Sequence, residues 1–317
     1  MFKKVALGIS GGVDSAVAAF LLKRAGYQVE GVFMRNWDNN YEAGYCSDER
    51  DFEDAINVCR KLEIPLHKVY FIKEYWNEVF SVLLQEYESG LTPNPDILCN
   101  RYVKFDSFFE HCRKNLNVDA IATGHYANTS FGPFLEYYNE TEAVKLIQPK
   151  DRHKDQTFFL SQVKQFALRK CMFPLANLLK SEVREIAKKE GLQNVANKKD
   201  STGICFIGKR PFQDFIDEVP GTKHPAIWND LCFTGAPHWI HCEPYELSIG
   251  GVLRCLFRFQ HTKKLVSCRV FKSSEGLTIL LDSNLRALTE GQYTVFYKND
   301  ECLGGAKIIN VFKSLLY

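Results

Sequence analysis

The chain has 317 residues and a mass of 36.4 kDa, enough for about two domains, with 45% apolar and 25% charged residues. That composition buries a core and excludes disorder, collagen and coiled coil, and no run of about 18 apolar residues exists to cross a membrane. The lysines and apolar residues of MFKKVALGIS do not make a signal peptide, because Gly11-Gly12-Val13-Asp14-Ser15 interrupts any apolar core. Eleven cysteines, an odd number, read as reduced thiols. Net charge is only +2, but residues 1–144 hold 14 basic and 21 acidic side chains, whereas residues 145–210 hold 15 and 6. The second segment is a candidate phosphate-facing surface, or else a solvated helical face.

In chain order, Val5–Ile9 reads as a buried strand and Ser15–Ala25 as a helix with an apolar face through Val17, Phe20 and Leu21. Val29–Met34 is a strand, Phe52–Leu62 a helix and Leu66–Phe71 a strand. Tyr75–Gly90 and Phe105–Asn115 are helices, Ala120–Thr123 is a strand, and residues 157–193 are mainly helical with breaks at Pro174 and Gly191. Strands alternating with helices predict an α/β fold: a parallel sheet with helices on both faces. Past residue 220 short alternating runs take over, at Leu253–Phe259, Leu265–Phe271, Leu277–Leu281, Gln292–Tyr297 and Lys307–Val311. They predict a small antiparallel β-barrel. The expected division is a catalytic domain over 1–219, with its basic helical part at about 145–210, and a barrel over 220–317, the boundary lying near Pro220-Gly221.

The strongest local signal is Gly8-Ile9-Ser10-Gly11-Gly12-Val13-Asp14-Ser15, which joins the first strand to the first helix. Glycines let backbone approach a phosphate, the helix N-terminus offers amide donors, and Ser10 and Ser15 add hydroxyls. Asp14 would orient Mg²⁺ or the loop itself, although no metal ligand set can be assigned. No Gly-Lys-Ser/Thr follows, so this is not a Walker A loop. The string resembles the pyrophosphatase loop of enzymes that split ATP into AMP and pyrophosphate, which implies an adenine nucleotide alpha hydrolase-like fold.

Two thiol segments narrow the resemblance. Asn94-Pro95-Asp96-Ile97-Leu98-Cys99-Asn100 follows a proline-rich turn and precedes a helix, where a thiol can be activated. Asp96 lies close enough to Cys99 to share a site for proton transfer. Gly203-Ile204-Cys205-Phe206-Ile207-Gly208 sets a second thiol between glycines. With Ala122-Thr123-Gly124-His125-Tyr126-Ala127, Lys154-Asp155-Gln156-Thr157-Phe158-Phe159-Leu160, Phe257-Arg258-Phe259, Gly291-Gln292-Tyr293 and Glu301-Cys302-Leu303-Gly304, these segments resemble the tRNA-specific 2-thiouridylases, and more closely their mitochondrial branch.

The resemblance implies roles. Gly8, Ile9, Ser10, Gly11, Gly12, Val13, Asp14 and Ser15 would bind the phosphates of ATP, with Met34 and Gly124 bordering the adenosine. Asn94, Pro95 and Asp96 would meet the target base, Cys99 would be the nucleophile and Cys205 the persulfide carrier, the two thiols passing through a disulfide. His125, Lys154, Asp155, Gln156, Arg258, Phe259 and Gln292 would contact tRNA. Plainer roles stand beside these: core packing for Met34, a satisfied loop for His125, barrel filling for Phe259, a helix start for Lys154-Asp155-Gln156.

The implied reaction is ATP-dependent 2-thiolation of the wobble uridine, with ATP and Mg²⁺ as cofactors and a persulfide supplied by a cysteine desulfurase or a relay protein. No membrane partner is expected. The mitochondrion is the implied location, with the cytoplasm as the alternative. The family's extra β-rich segment between the catalytic part and the barrel has no counterpart here, since Lys223-His224-Pro225-Ala226 already resembles the start of the C-terminal part. That departure leaves two competitors open: a shortened form that binds tRNA without thiolating it, and a small-molecule amidating enzyme of the same ATP-splitting group.

Overall fold

A computed structural model describes residues 2–37, 47–198 and 228–314. The expected boundary at Pro220-Gly221 and the Cys205 segment lie outside the described residues.

The N-terminal domain is built on five parallel strands in the order β3-β2-β1-β4-β7. These are β1 (Lys4–Gly8), β2 (Gln28–Arg35), β3 (Leu66–Tyr70), β4 (Ala120–Ala122) and, after two short strands described below, β7 (Cys171–Met172). Val5, Ala6 and Leu7 are completely buried, as a central parallel strand covered by helices on both faces must be. Strand order reverses between β2 and β4, on either side of β1, so the crevice at the C-terminal end of β1 is the natural ligand position of the fold.

Helix α1 (Val13–Arg24) follows β1 and buries Val13, Ala16, Val17, Ala18, Ala19 and Leu22. Its alanines allow close packing against the sheet. Gly26, at φ +87°, ends it, with the Tyr27 amide donating back to the Leu22 carbonyl at 3.1 Å. Helix α2 (Ser47–Lys61) lies between β2 and β3. Two long helical runs follow, α3 over residues 72–88 and α4 over 95–116, each containing π-type turns. The sequence predicts a helix only from Phe105. Helix α4 starts ten residues earlier, because Asn94 is a true N-cap, its Oδ1 accepting from the Ile97 amide at 3.1 Å, and Pro95 occupies the first helical position.

Short helices α5 (Thr157–Leu160), α6 (Gln165–Leu168), α7 (Lys180–Lys189) and α8 (Gln193–Ala196) complete this domain. The segment predicted as helical over 157–193 thus also contains strand β7, whose two residues are fully buried at the sheet edge.

The C-terminal part is a closed antiparallel barrel of six strands: β8 (Trp228–Thr234), β10 (Leu253–Arg258), β11 (Val266–Lys272), β12 (Leu277–Arg286), β13 (Tyr293–Lys298) and β14 (Glu301–Phe312). Pairing of β13 with β14 closes it, and β9 (His238–Trp239) pairs with β14. A barrel without edges avoids open-edge pairing. The first domain extends this sheet with a hairpin, β5 (Asn128–Thr129) and β6 (Leu146–Ile147), since β6 pairs with β14 at Glu301–Ile147 and Cys302–Leu146. Val295, Tyr297 and Cys302 of the barrel belong to the hydrophobic core of the first domain, while the barrel interior forms a second core around Phe257, Ile279 and Phe296. Each such large, fully buried side chain contributes about 1.5–3 kcal/mol. Among the described residues no helix is long and apolar enough to cross a membrane.

Candidate active site

The glycine loop closes on itself at the C-terminal end of β1. The Ser10 amide donates to Ser15 Oγ at 3.2 Å, the two hydroxyls lie 3.2 Å apart, and Ser15 Oγ donates to the Gly12 carbonyl at 3.1 Å. Gly11 has φ +70°, and a Cβ there would stand 2.1 Å from the Asp51 carbonyl oxygen, so only glycine fits beneath α2. Met34 reaches the foot of the loop, its Cε 3.2 Å from the position of a Cβ on Gly8. Gly124 packs on the other side, where a Cβ would be 2.8 Å from the Ser15 amide nitrogen. The structure therefore gathers the eight loop residues, Met34 and Gly124 around one crevice.

Two lysines that the sequence did not single out flank this loop. Lys180, at the start of α7, places Nζ 2.7 Å from both carboxylate oxygens of Asp14, and the Tyr126 hydroxyl donates to Asp14 Oδ1 at 2.9 Å. Lys198 donates to the Gly11 carbonyl at 3.1 Å and pairs with Asp51 and Asp54 at 2.5 and 2.7 Å. Both oxygens of Asp14 accept from Lys180, so in this structure Asp14 serves the loop itself and lysine supplies the positive charge beside it. Among the described residues no group of three His, Cys, Asp or Glu side chains could hold a metal by itself, so a magnesium ion would be held chiefly through the phosphates of ATP.

From the loop a chain of contacts leads to the helix that carries the thiol. Next to Gly124, His125 hydrogen-bonds Thr123 Oγ1 through Nδ1 at 2.9 Å and packs against Phe105 of α4. Burial, helped by the positive charge of Lys104, pushes the His125 imidazole down to about 3, so it is neutral at physiological pH. Lys104 also acts on Asp96. Burial raises the Asp96 carboxyl above the ordinary aspartate range, against the opposing pull of Lys104 and His261.

Asp96 and Cys99 are three residues apart and share one face of α4. Cys99 is buried and lies one turn inside the helix rather than at its N-terminal edge, so the expected activation by the helix start is reduced by that distance. Asn100 donates Nδ2 to the Asp96 carbonyl at 2.8 Å, and its own Oδ1 is buried with no partner.

The residues expected to meet tRNA divide. Gln156 binds the Tyr126 main chain, accepting from its amide at 2.8 Å and donating to its carbonyl at 2.9 Å. Lys154 is half-buried beside it. Asp155, Arg258, Phe259 and Gln292, in contrast, lie inside the protein. Asp155 is 1% exposed and accepts from Gln148 Nε2 at 2.6 Å, from the Thr157 amide at 3.0 Å, from Thr157 Oγ1 at 2.6 Å and from Arg258 Nη1 at 3.3 Å. Phe259 stacks on Phe257 in the barrel, and Gln292 Oε1 accepts from the Thr289 amide at 3.0 Å. Much of the basic surplus of residues 145–210 is also consumed internally: Lys145 pairs with Glu301, Lys150 with Glu182, Arg152 with Asp300 and Lys164 with Asp106.

The family model described as tRNA methyl transferase HUP domain matches residues 3–209, and that described as aminomethyltransferase beta-barrel domain matches residues 229–308. The mitochondrial tRNA-specific 2-thiouridylase 1 of Drosophila melanogaster is 43% identical, covering 98% of this chain and 95% of that protein. Its Homo sapiens counterpart is 42% identical over 98% and 91%, and the protein named probable mitochondrial tRNA-specific 2-thiouridylase 1 in Caenorhabditis elegans is 38% identical over 98% and 100%. The Drosophila alignment runs over 368 positions, more than the 317 residues here, so that relative carries internal residues without a counterpart in this chain. With both domains matched and such identity along nearly its whole length, the chain belongs to the tRNA-specific 2-thiouridylase family.

Proposed function

We propose that this chain uses ATP to replace the C2 oxygen of the wobble uridine of tRNA by sulfur. The observation that carries the reading is the glycine loop closed by Gly124 at the end of β1, with the adjoining His125 packed on Phe105 of α4, the helix on which Asp96 and the buried Cys99 lie one turn apart. The C2 carbonyl of uracil is a poor electrophile and oxide a poor leaving group. Attack of that oxygen on the α-phosphorus of ATP expels pyrophosphate and leaves a C2-adenylate. The loop amides, Ser10, Ser15 and Lys180 would stabilise the negative charge on the departing pyrophosphate. Sulfur then displaces AMP from C2.

A persulfide on Cys205, charged by an upstream sulfur donor, supplies that sulfur. In one route Cys99 attacks the inner sulfur, which releases hydrosulfide and leaves a Cys99–Cys205 disulfide. In the other the terminal sulfur attacks C2 directly, and Cys99 then resolves the adduct. Asp96, its carboxyl raised by burial above the ordinary aspartate range, is the proposed general acid or base. The uridine reaches this buried site by leaving its stack.

Lys154, Gln156 and His125 are the proposed tRNA contacts, with Asp155, Arg258, Phe259 and Gln292 acting beneath them by holding the barrel in place. Neutral His125 would offer a hydrogen bond rather than a charge. The relatives' names support a mitochondrial site of action.

The test is to incubate the full chain with ATP, Mg²⁺, a low-molecular-weight persulfide and an unmodified tRNA transcript, and to read thiouridine by mercury-gel shift. Wild type is expected to thiolate, while Cys99→Ser and Cys205→Ser bind tRNA without product. Lys180→Met should lower the rate by about 10²-fold or more. A wild-type chain that binds tRNA but makes no thiouridine overturns the reading, as do cysteine variants that retain full activity.

A further inference from the structure

The side chain next to Cys99 holds an acceptor that no donor among the described residues meets. Asn100 is 3% exposed, and its chain neighbours Ile97, Leu98, Cys99 and Val103 are buried with it. Its Nδ2 donates at 2.8 Å to the main-chain carbonyl of Asp96, four positions earlier on the same face of α4. A carbonyl only accepts, so the carboxamide cannot be turned about: the reverse orientation would set two oxygens against each other. Oδ1 is therefore the atom left buried without a partner. An unmet buried acceptor lowers stability, a loss that leucine, branched in the same way, would avoid.

The turn that carries this atom is braced on both sides. Asn94 caps α4 through the Ile97 amide, and Pro95 fixes the first helical position. Before the cap, the Thr92 amide donates to the Glu290 carbonyl of the barrel at 2.9 Å, and Thr289 Oγ1 donates to Thr92 Oγ1 at 3.0 Å. After Asn100, Arg101 Nη1 donates to Gln162 Oε1 at 3.2 Å, and Gln162 Nε2 donates to the Gly305 carbonyl of β14 at 3.0 Å. The barrel thus holds the first turns of α4 from both ends, and the acceptor keeps one position beside Asp96 and Cys99.

A fixed acceptor beside the thiol calls for a donor that the substrate brings. The base of uridine carries one ring N–H, at N3, directly beside the C2 carbonyl whose oxygen is to be exchanged. Cytosine presents a lone pair at N3 instead, and two lone pairs would then face each other. We propose that Asn100 is a specificity-determining residue of the target-base site: its Oδ1 accepts from the N3–H of the flipped uracil, which admits uridine and rejects cytidine. The assignment deepens the thiolation reading and rests on it, since that reading brings the base to Asp96 and Cys99. A site built to hydrogen-bond a substrate N–H rejects an analogue without it by a large factor, because the buried partner is left unmet.

Two tRNA transcripts that differ only in uridine or cytidine at the wobble position test this on the full chain, with ATP, Mg²⁺ and a low-molecular-weight persulfide. Wild type should thiolate the uridine transcript at least about 10²-fold faster than the cytidine transcript. Asn100→Leu, which removes the acceptor, should slow the uridine reaction by about 10²-fold or more without slowing the cytidine reaction, while its melting temperature stays level or rises. Asn100→Ser, whose shorter side chain withdraws the acceptor, carries the same test if the leucine variant does not fold. As a second readout, the imino proton of a ¹⁵N3-labelled wobble uridine should gain protection from exchange on binding wild type, and not on binding either variant. An unchanged rate and uridine preference in the variants overturns the inference. So does a lowered melting temperature with both transcripts slowed equally, the mark of a purely structural role. A wild-type chain that makes no thiouridine defeats the thiolation reading instead, and imino protection then decides whether Asn100 holds the base.

Discussion

His125 illustrates how burial sets the chemistry of a single residue. A histidine beside a nucleotide loop in a tRNA enzyme invites assignment as a cation for phosphate, yet its surroundings hold it neutral down to about pH 3. In the unfolded chain its pKa returns to about 6.5. Between these values the unfolded state binds a proton that the folded state refuses, so stability contributed at neutral pH is lost as the pH falls below about 6.5. Going from pH 7 to pH 5, this one residue should cost about 2 kcal/mol. His125→Gln should reduce the pH-dependent loss in urea midpoint by that amount, and an equal loss in both proteins would show that the imidazole is not buried as described. The loop, Gly124, Cys99 and Asp96 were legible because short strings carry their identity. Lys180 and Lys198 were not. Each is one lysine in a segment of fifteen basic side chains, and only the fold brings them to Asp14 and to the Gly11 carbonyl.

At the level of elements, the alternation of strands and helices gave the parallel sheet, because fully buried strands such as Val5–Leu7 are continuous apolar runs. Strand β8 was passed over because Asn229 and Asp230 interrupt its apolar pattern. Both are buried and satisfied at a distance, Asn229 by the Leu288 carbonyl and Asp230 by the Ser314 amide and hydroxyl, partners that a local reading cannot supply. The segment after β4 packs tightly on the start of α1. Gly124→Ala would press a methyl group onto the Ser15 nitrogen and the Asp14 carbonyl carbon, both main chain, so the start of α1 must shift. Overpacking of this kind costs about 1–3 kcal/mol, and misplacing the loop should lower the thiolation rate by about 10²-fold. Gly26→Ala is the control. Its φ of +87° makes it strained, but no atom lies within 4 Å, so it should lose about 1 kcal/mol in melting experiments and leave the rate unchanged. Equal rate losses in both variants would mean that stability, not loop position, governs activity.

For the whole molecule the question is whether two domains act as one body. The sequence foretold a barrel but not its attachment, because the hairpin β5–β6 that joins its sheet comes from about 150 positions earlier in the chain, a separation that no local pattern reports. At the centre of the junction, Asp155 binds Gln148 and Thr157 on its own domain and Arg258 on the barrel, while Thr157 Oγ1 lies 3.2 Å from the Tyr297 hydroxyl. Arg258 is nearly buried, its guanidinium lying over the Tyr297 ring at 5.5 Å, so loss of its carboxylate would strand a charge away from water. Asp155→Ala should therefore cost about 3–5 kcal/mol, whereas Asp155→Ala combined with Arg258→Met should recover part of that loss, because the second change removes the stranded charge. In calorimetry the wild-type chain should unfold in one transition and Asp155→Ala in two, the barrel parting from the parallel-sheet domain before either melts. A single, merely lowered transition in Asp155→Ala, with no recovery in the double variant, would mean that the β6–β14 pairing and the shared core hold the domains together without this ion pair.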